Sequence, residues 1–132
     1  MKKFISVPIH SDKDIVSARQ EGRATALTLG FSETESTLIA TAISELARNI
    51  VTYAKRGEVQ IRSLNNSSHE GIEVTARDCG PGIANVRMAL QDGFSTSGSL
   101  GLGLPGVKRL VDEFHIVSGV DGTTVTIKKW KP

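Results

Sequence analysis

The sequence predicts an α+β fold of two layers, a mixed and largely antiparallel sheet carrying its helices on one face. Three observations lead there. Two segments, EVQIRSL at 58–64 and GIEVTARD at 71–78, alternate apolar and polar residues around the polar stretch NNSSH, which makes them a hairpin. Apolar residues recur at helical spacing through two long stretches before that hairpin. A second pair of short alternating strands ends the chain. The predicted order is therefore β-α-α-β-β-α-α-β-β, and paired strands set between helices pack as a sheet with a helical layer.

Each element has its own local justification. Residues 4–9 form a short apolar segment with Pro8, suited to an edge strand because proline cannot donate to a ladder. Ser11 caps a helix starting at Asp12, in which Ile15, Ala18, Gly22, Ala26 and Leu29 share a face and Gly30 is the stop. Ser32 and Glu35 have the spacing of a capping box and open a second helix that runs to about Ala54 and ends near Gly57. Its apolar side carries Leu38, Ile39, Ala42, Ile43, Leu46, Ile50 and Tyr53. After the central hairpin comes the sharp loop Asp78-Cys79-Gly80-Pro81-Gly82-Ile83, then a short helical stretch around Val86 to Leu90. From Asp92 to Gly103 the chain is rich in Gly, Ser and Thr, too polar for a core, and reads as a mobile lid. Helical spacing resumes at Val107, Leu110, Val111 and Phe114, and HIVSG, an Asp121-Gly122 turn and TTVTIKKW make the closing hairpin.

Size and composition narrow the function. At 132 residues the chain is expected to be a single domain, 1–132, with no internal repeat and no room for a separate sensor. Sixteen basic and fourteen acidic residues leave a charge of +2, and the cations are scattered, which argues against nucleic acid as the ligand. No apolar run approaches a membrane span and MKKFISVPIH lacks a secretion signal, so a cytoplasmic protein with no membrane partner is expected. Cys79 is alone and His10, His69 and His115 are far apart, which argues against a disulfide scaffold or a zinc site.

Three places carry chemistry. Glu45 and Asn49 lie about 40° apart on a helical wheel, at the edge of the apolar face. A carboxylate and an amide there are costly unless something polar meets them, which suits the wall of a polar pocket, although helix-edge Glu and Asn residues are common on ordinary surfaces. Asp78 ends an apolar strand directly before Gly-Pro-Gly, so its carboxylate can face a cavity at the end of the sheet, or simply serve the turn. Gly101, Gly103 and Gly106 let backbone amides approach an anion ahead of a helix, though glycine-rich turns are frequent. The same glycines match GxGxxG, with Asp121 about twenty residues on. A dinucleotide fold fails on context, because FSTSGSL replaces the buried strand that should precede such a loop, and no GxxxxGK[ST] sequence is present.

Taken in order, ELARN at 45–49, DCGPGI at 78–83 and GLGLPG at 101–106 resemble the N box and two glycine boxes of the GHKL ATPase superfamily, whose ATP-binding domain is the Bergerat fold. With no phosphoacceptor helix domain, the chain is similar to the stand-alone serine kinases of bacterial partner switching. SELARNI and DGFSTSGSLGLGLPGVKRLVDEF look most like the RsbT-type switch kinases of stressosome signalling. The resemblance covers nearly the whole chain. It implies ATP and Mg²⁺ as ligands, with Asp78 accepting a hydrogen bond from the adenine amino group, Asn49 holding Mg²⁺ and Glu45 acting as general base. Gly80, Gly82 and Ile83 would lie against adenine, Thr123 near it, and Gly101, Gly103 and Gly106 over the phosphates. Lys108 and Arg109 could reach phosphates or a partner, or line a solvated helix face.

The function implied is a serine/threonine protein kinase that phosphorylates a STAS-domain antagonist, meets a related STAS scaffold in a large complex, and after release activates a PPM-type phosphatase. Two alternatives stay open from sequence: an anti-sigma factor kinase, and an ATP-gated binding module that transfers no phosphate.

Overall fold

The computed structural model describes residues 4–66, 68–80 and 103–132. Within them the chain runs β1 (Phe4–Ile9), α1 (Asp12–Thr28), α2 (Glu33–Asn49), a π-helical turn (Ile50–Ala54), β2 (Gly57–Asn65), β3 (Glu70–Asp78), α3 (Gly103–Leu110), β4 (Glu113–Gly119) and β5 (Gly122–Trp130). The five strands form one sheet in the order β1-β2-β3-β5-β4. The expected short helix around Val86 to Leu90 and the lid up to Leu102 lie outside the described residues.

Among the described residues every pairing is antiparallel, in line with the largely antiparallel sheet expected and with no parallel pair. The reason is topological. β3 and β4 run the same way, but β5 inserts between them and pairs with both, so no two parallel strands become neighbours. β1 lies at one edge, as its proline requires, with Pro8 opposite Glu58.

Alternation along the strands puts Val7 and Ile9, Val59 and Ile61, Ile72, Val74 and Ala76, and Val125 and Ile127 on one face, all buried. The helices cover that face. α1 contributes Ile15, Ala18 and Ala26, and α2 contributes Ile39, Ala42, Ile43, Leu46 and Ala47 to the same core. α2 packs against both α1 and α3, so it is the central helix of the layer. The opposite face is polar. Across β2, β3 and β5 the residues Arg62, Glu73 and Lys128 stand in one row, and Glu73 is ion-paired to both cations. Among the described residues no helix is long and apolar enough to cross a membrane.

The helix ends show where local sequence signals act. At α1 the Asp14 carboxylate accepts the N–H groups of His10 and Ser11 at 2.7 and 3.1 Å, holding the first turn. At α2 the Ser32 hydroxyl accepts the Glu35 N–H at 3.1 Å, while the Glu35 carboxylate lies 3.9 Å from Lys129 on β5. Tertiary pairing has therefore taken one half of the expected box. α2 also ends differently: the Lys55 N–H reaches the Ile50 carbonyl at 2.8 Å, and Lys55 itself is left-handed at φ 72, so the stop comes before Gly57.

Phe114 is another correction, since it belongs to β4 and not to the preceding helix. Asp112 ends the helical course by donating its N–H to the Lys128 carbonyl at 3.0 Å and accepting the Trp130 N–H at 2.7 Å. Phe114 then takes the inward parity of Ile116, and both pack on the core.

Candidate functional site: the polar end of the sheet beneath the central helix

The first group sits at the C-terminal end of α2. Glu45 is 6% exposed, yet its Oε2 has no hydrogen-bond partner among the described residues, and neither has the buried Nε of Arg48. An unsatisfied buried acceptor costs about 1–3 kcal/mol, which makes this carboxylate a candidate for meeting a further group. Asn49 follows one turn later, half-buried, as the last residue of α2 before the π-helical turn. Such turns often occur at functional sites. Here the turn brings Ala54 against the loop that leaves β3.

The second group is a row of the sheet. Moving along the inward face, one row is Val59, Ala76, Val125 and Ile116, apolar throughout. The next inward row, at the strand ends, is different. Ile9 and Asp78 stand on either side of Gly57 and Ser118 stands opposite Thr123, with β3 and β5 adjacent, so the row reads Ile9, Gly57, Asp78, Thr123, Ser118 and is polar from β3 onward.

This row is wired by hydrogen bonds. Asp78 Oδ1 accepts the Gly80 N–H at 2.9 Å and the Thr123 N–H at 3.2 Å. Both bonds go to one oxygen, which fixes the carboxylate and leaves Oδ2 without a bond among the described residues. The Thr123 and Ser118 hydroxyls share a bond of 2.8 Å. Thr123 is buried at 8% exposure, with the inward parity of Val125 and Ile127 expected of it.

Two glycines make the geometry possible. Gly122 has φ +132, and a Cβ there would stand 2.1 Å from the Asp78 carbonyl oxygen. A side chain at Gly80 would meet Ala54 Cβ at 2.6 Å. The second contact joins the two groups, since it seats the loop after Asp78 directly on the turn after Asn49. It also gives Gly80 a reason to be glycine within the protein itself, beside the close approach of a ligand expected from sequence.

α3 supplies the third part. Gly103 has φ +51, and Gly103, Leu104, Pro105, Gly106 and Val107 are all buried where α3 packs on α2. Lys108 and Arg109 are exposed on its last turn. Gly82, Ile83 and Gly101 lie outside the described residues. Among the described residues no three His, Cys, Asp or Glu side chains cluster to hold a metal ion. A divalent cation here would thus need ligands from the substrate, with Asn49 as an oxygen donor that carries no charge. Sequence reasoning missed Arg48, Ala54 and Ser118. Ser118 had a visible signal, a polar residue at the inward parity of Phe114 and Ile116.

The comparisons agree with this architecture. Residues 10–129 match the model of the histidine kinase-like ATPase domain. The serine/threonine-protein kinase RsbT of Bacillus subtilis is 50% identical over 126 residues, 94% of each chain. An anti-sigma F factor of Halalkalibacterium halodurans is 34% identical over 101 residues, 72% of this chain and 69% of that one. The crystal structure of the RsbU and RsbW domains of a Mycobacterium tuberculosis protein superposes with a TM-score of 0.67 at 19% identity, covering all of this chain and 33% of that one. The chain belongs to the histidine kinase-like ATPase family, an ATP-binding fold, and within it is a homologue of the serine/threonine kinase RsbT.

Proposed function

We propose that residues 1–132 form one cytoplasmic serine/threonine protein kinase domain that uses Mg-ATP to phosphorylate a STAS-domain antagonist in partner-switching stress signalling. The observation that carries this reading is Glu45, a nearly buried carboxylate one helical turn from Asn49, with an oxygen that has no partner among the described residues. A module that only held nucleotide would have no use for a carboxylate kept at that cost.

In this reading Asp78 Oδ2 accepts the adenine amino group. Guanine presents an acceptor at the same place, so the site prefers ATP to GTP. Thr123, Gly80, Gly82 and Ile83 border the base, and Gly101, Gly103 and Gly106 close over the phosphates. Asn49 would hold Mg²⁺, which would supply charge neutralisation at the phosphates. Glu45 orients the hydroxyl of the target serine and takes its proton. The serine oxygen then bonds to the γ-phosphorus as the bond to the bridging oxygen of the departing ADP breaks.

The phosphate added to the antagonist places about two negative charges in the interface and breaks the complex. The released kinase then binds and activates a PPM-type phosphatase, and a related STAS scaffold in a large complex holds it beforehand. The likeness to an anti-sigma F factor favours one competing reading, an anti-sigma factor kinase. Pull-downs with a STAS antagonist, a PPM phosphatase and a sigma factor separate the two. Binding to the antagonist and the phosphatase is expected, and binding to the sigma factor alone would contradict the proposal.

A further inference from the structure

We propose that Ser118 is a positioning residue for purine recognition, acting through Thr123. The inference rests on the reading of Asp78 and Thr123 as the adenine site. Four observations carry it. Ser118 completes the inward row at the strand ends, which is polar across β3, β5 and β4 and follows a row that is apolar throughout. Its hydroxyl bonds the Thr123 hydroxyl at 2.8 Å. Thr123 is tied by its own N–H to the carboxylate of Asp78. The turn between Ser118 and Thr123 is pressed on the Asp78 backbone at Gly122, so the hairpin cannot slide relative to that carboxylate.

A threonine hydroxyl has a few χ1 positions, and its proton can turn to any acceptor within reach. The bond from Ser118 selects one of those positions and uses one of the hydroxyl's bonding directions. What remains of the hydroxyl is then aimed, with no rotamer search, at whatever stands beside Asp78. For a purine whose amino group meets Asp78 Oδ2, that group is a ring nitrogen or a water bound to it. Asp78 thus reads the amino group, Thr123 reads the ring, and Ser118 fixes how Thr123 does so.

The test is calorimetry of ATP and of purine riboside triphosphate, which lacks the amino group, on the wild type, Ser118→Ala, Ser118→Thr, Thr123→Val, the double variant Ser118→Ala/Thr123→Val, and Asp78→Asn. Ser118→Ala is expected to weaken both nucleotides about two- to tenfold, the worth of one net hydrogen bond. Ser118→Thr, which keeps the hydroxyl, is expected to restore affinity. Adding Ser118→Ala to Thr123→Val is expected to cost nothing more. An unchanged affinity in Ser118→Ala, an equal further loss in the double variant, or a loss seen with ATP alone would each overturn the inference. Asp78→Asn reports on the adenine site separately: if it left ATP binding intact, the reading of that site would fail, whatever Ser118 did.

Discussion

Asp78 is held before any ligand arrives. Its Oδ1 accepts two backbone N–H groups, from Gly80 and Thr123, and this leaves Oδ2 for the adenine contact proposed above. An asparagine there keeps an oxygen for those two donors and presents an amide N–H₂ in place of Oδ2, opposite another donor. Asp78→Asn is therefore expected to weaken ATP tenfold or more, roughly 1.4 kcal/mol or above, while the melting temperature without nucleotide stays near that of the wild type. Calorimetry and a thermal melt check the two halves of that statement. Asn49→Ala is expected to remove the magnesium dependence of nucleotide binding, and titrations with and without Mg²⁺ would show it. Asp78 and Asn49 could be proposed from the sequence because motif and chain position coincide. Ser118 could not, because its bond to Thr123 depends on hairpin register and its relation to Asp78 on β5 lying between β3 and β4.

At the scale of elements, strands, helix starts and the stop of α1 at the left-handed Gly30 followed from alternation and local signals, whereas the form in which α2 ends did not. α2 stops in a π-helical turn with a left-handed lysine, and no glycine or proline announces either feature. Phe114 was misplaced for a related reason. Its spacing from Val107, Leu110 and Val111 suits a helix, but Asp112 pairs with β5 and turns the chain into a strand. The start of α2 is a clean local device, since Ser32 accepts the Glu35 N–H. Ser32→Ala is expected to cost about 1 kcal/mol in urea unfolding, with little effect on the site at the far end of the helix. Gly122→Ala is expected to do both kinds of harm. It forces a side chain into φ +132 and against the Asp78 backbone, so both stability and ATP affinity fall, read by a melt and by calorimetry.

For the molecule as a whole, one face of the sheet is a core under α1, α2 and α3 and the other a polar surface with Arg62, Glu73 and Lys128 in a row. The candidate site lies where the inward face of β3, β5 and β4 turns polar, at the strand ends beneath α2. The α+β architecture with helices on one face was legible because the alternation of β2, β3 and β5 is regular. The strand order β1-β2-β3-β5-β4 was not, because it depends on crossovers that no local pattern encodes. A ligand that binds only the folded chain stabilises it by mass action, by about 2.7 kcal/mol at a hundredfold excess over Kd. Mg-ATP is thus expected to raise the melting temperature of the wild type and to do so far less for Asp78→Asn.

The most direct test of the central claim is transfer of label from γ-labelled Mg-ATP to a STAS-domain antagonist, run with the wild type and Glu45→Ala side by side. The account predicts labelled antagonist with the wild type, and none with Glu45→Ala although that variant still binds ATP. Equal labelling by the two proteins would remove Glu45 from the mechanism, and no labelling by wild type that binds both ATP and the antagonist would contradict the kinase itself.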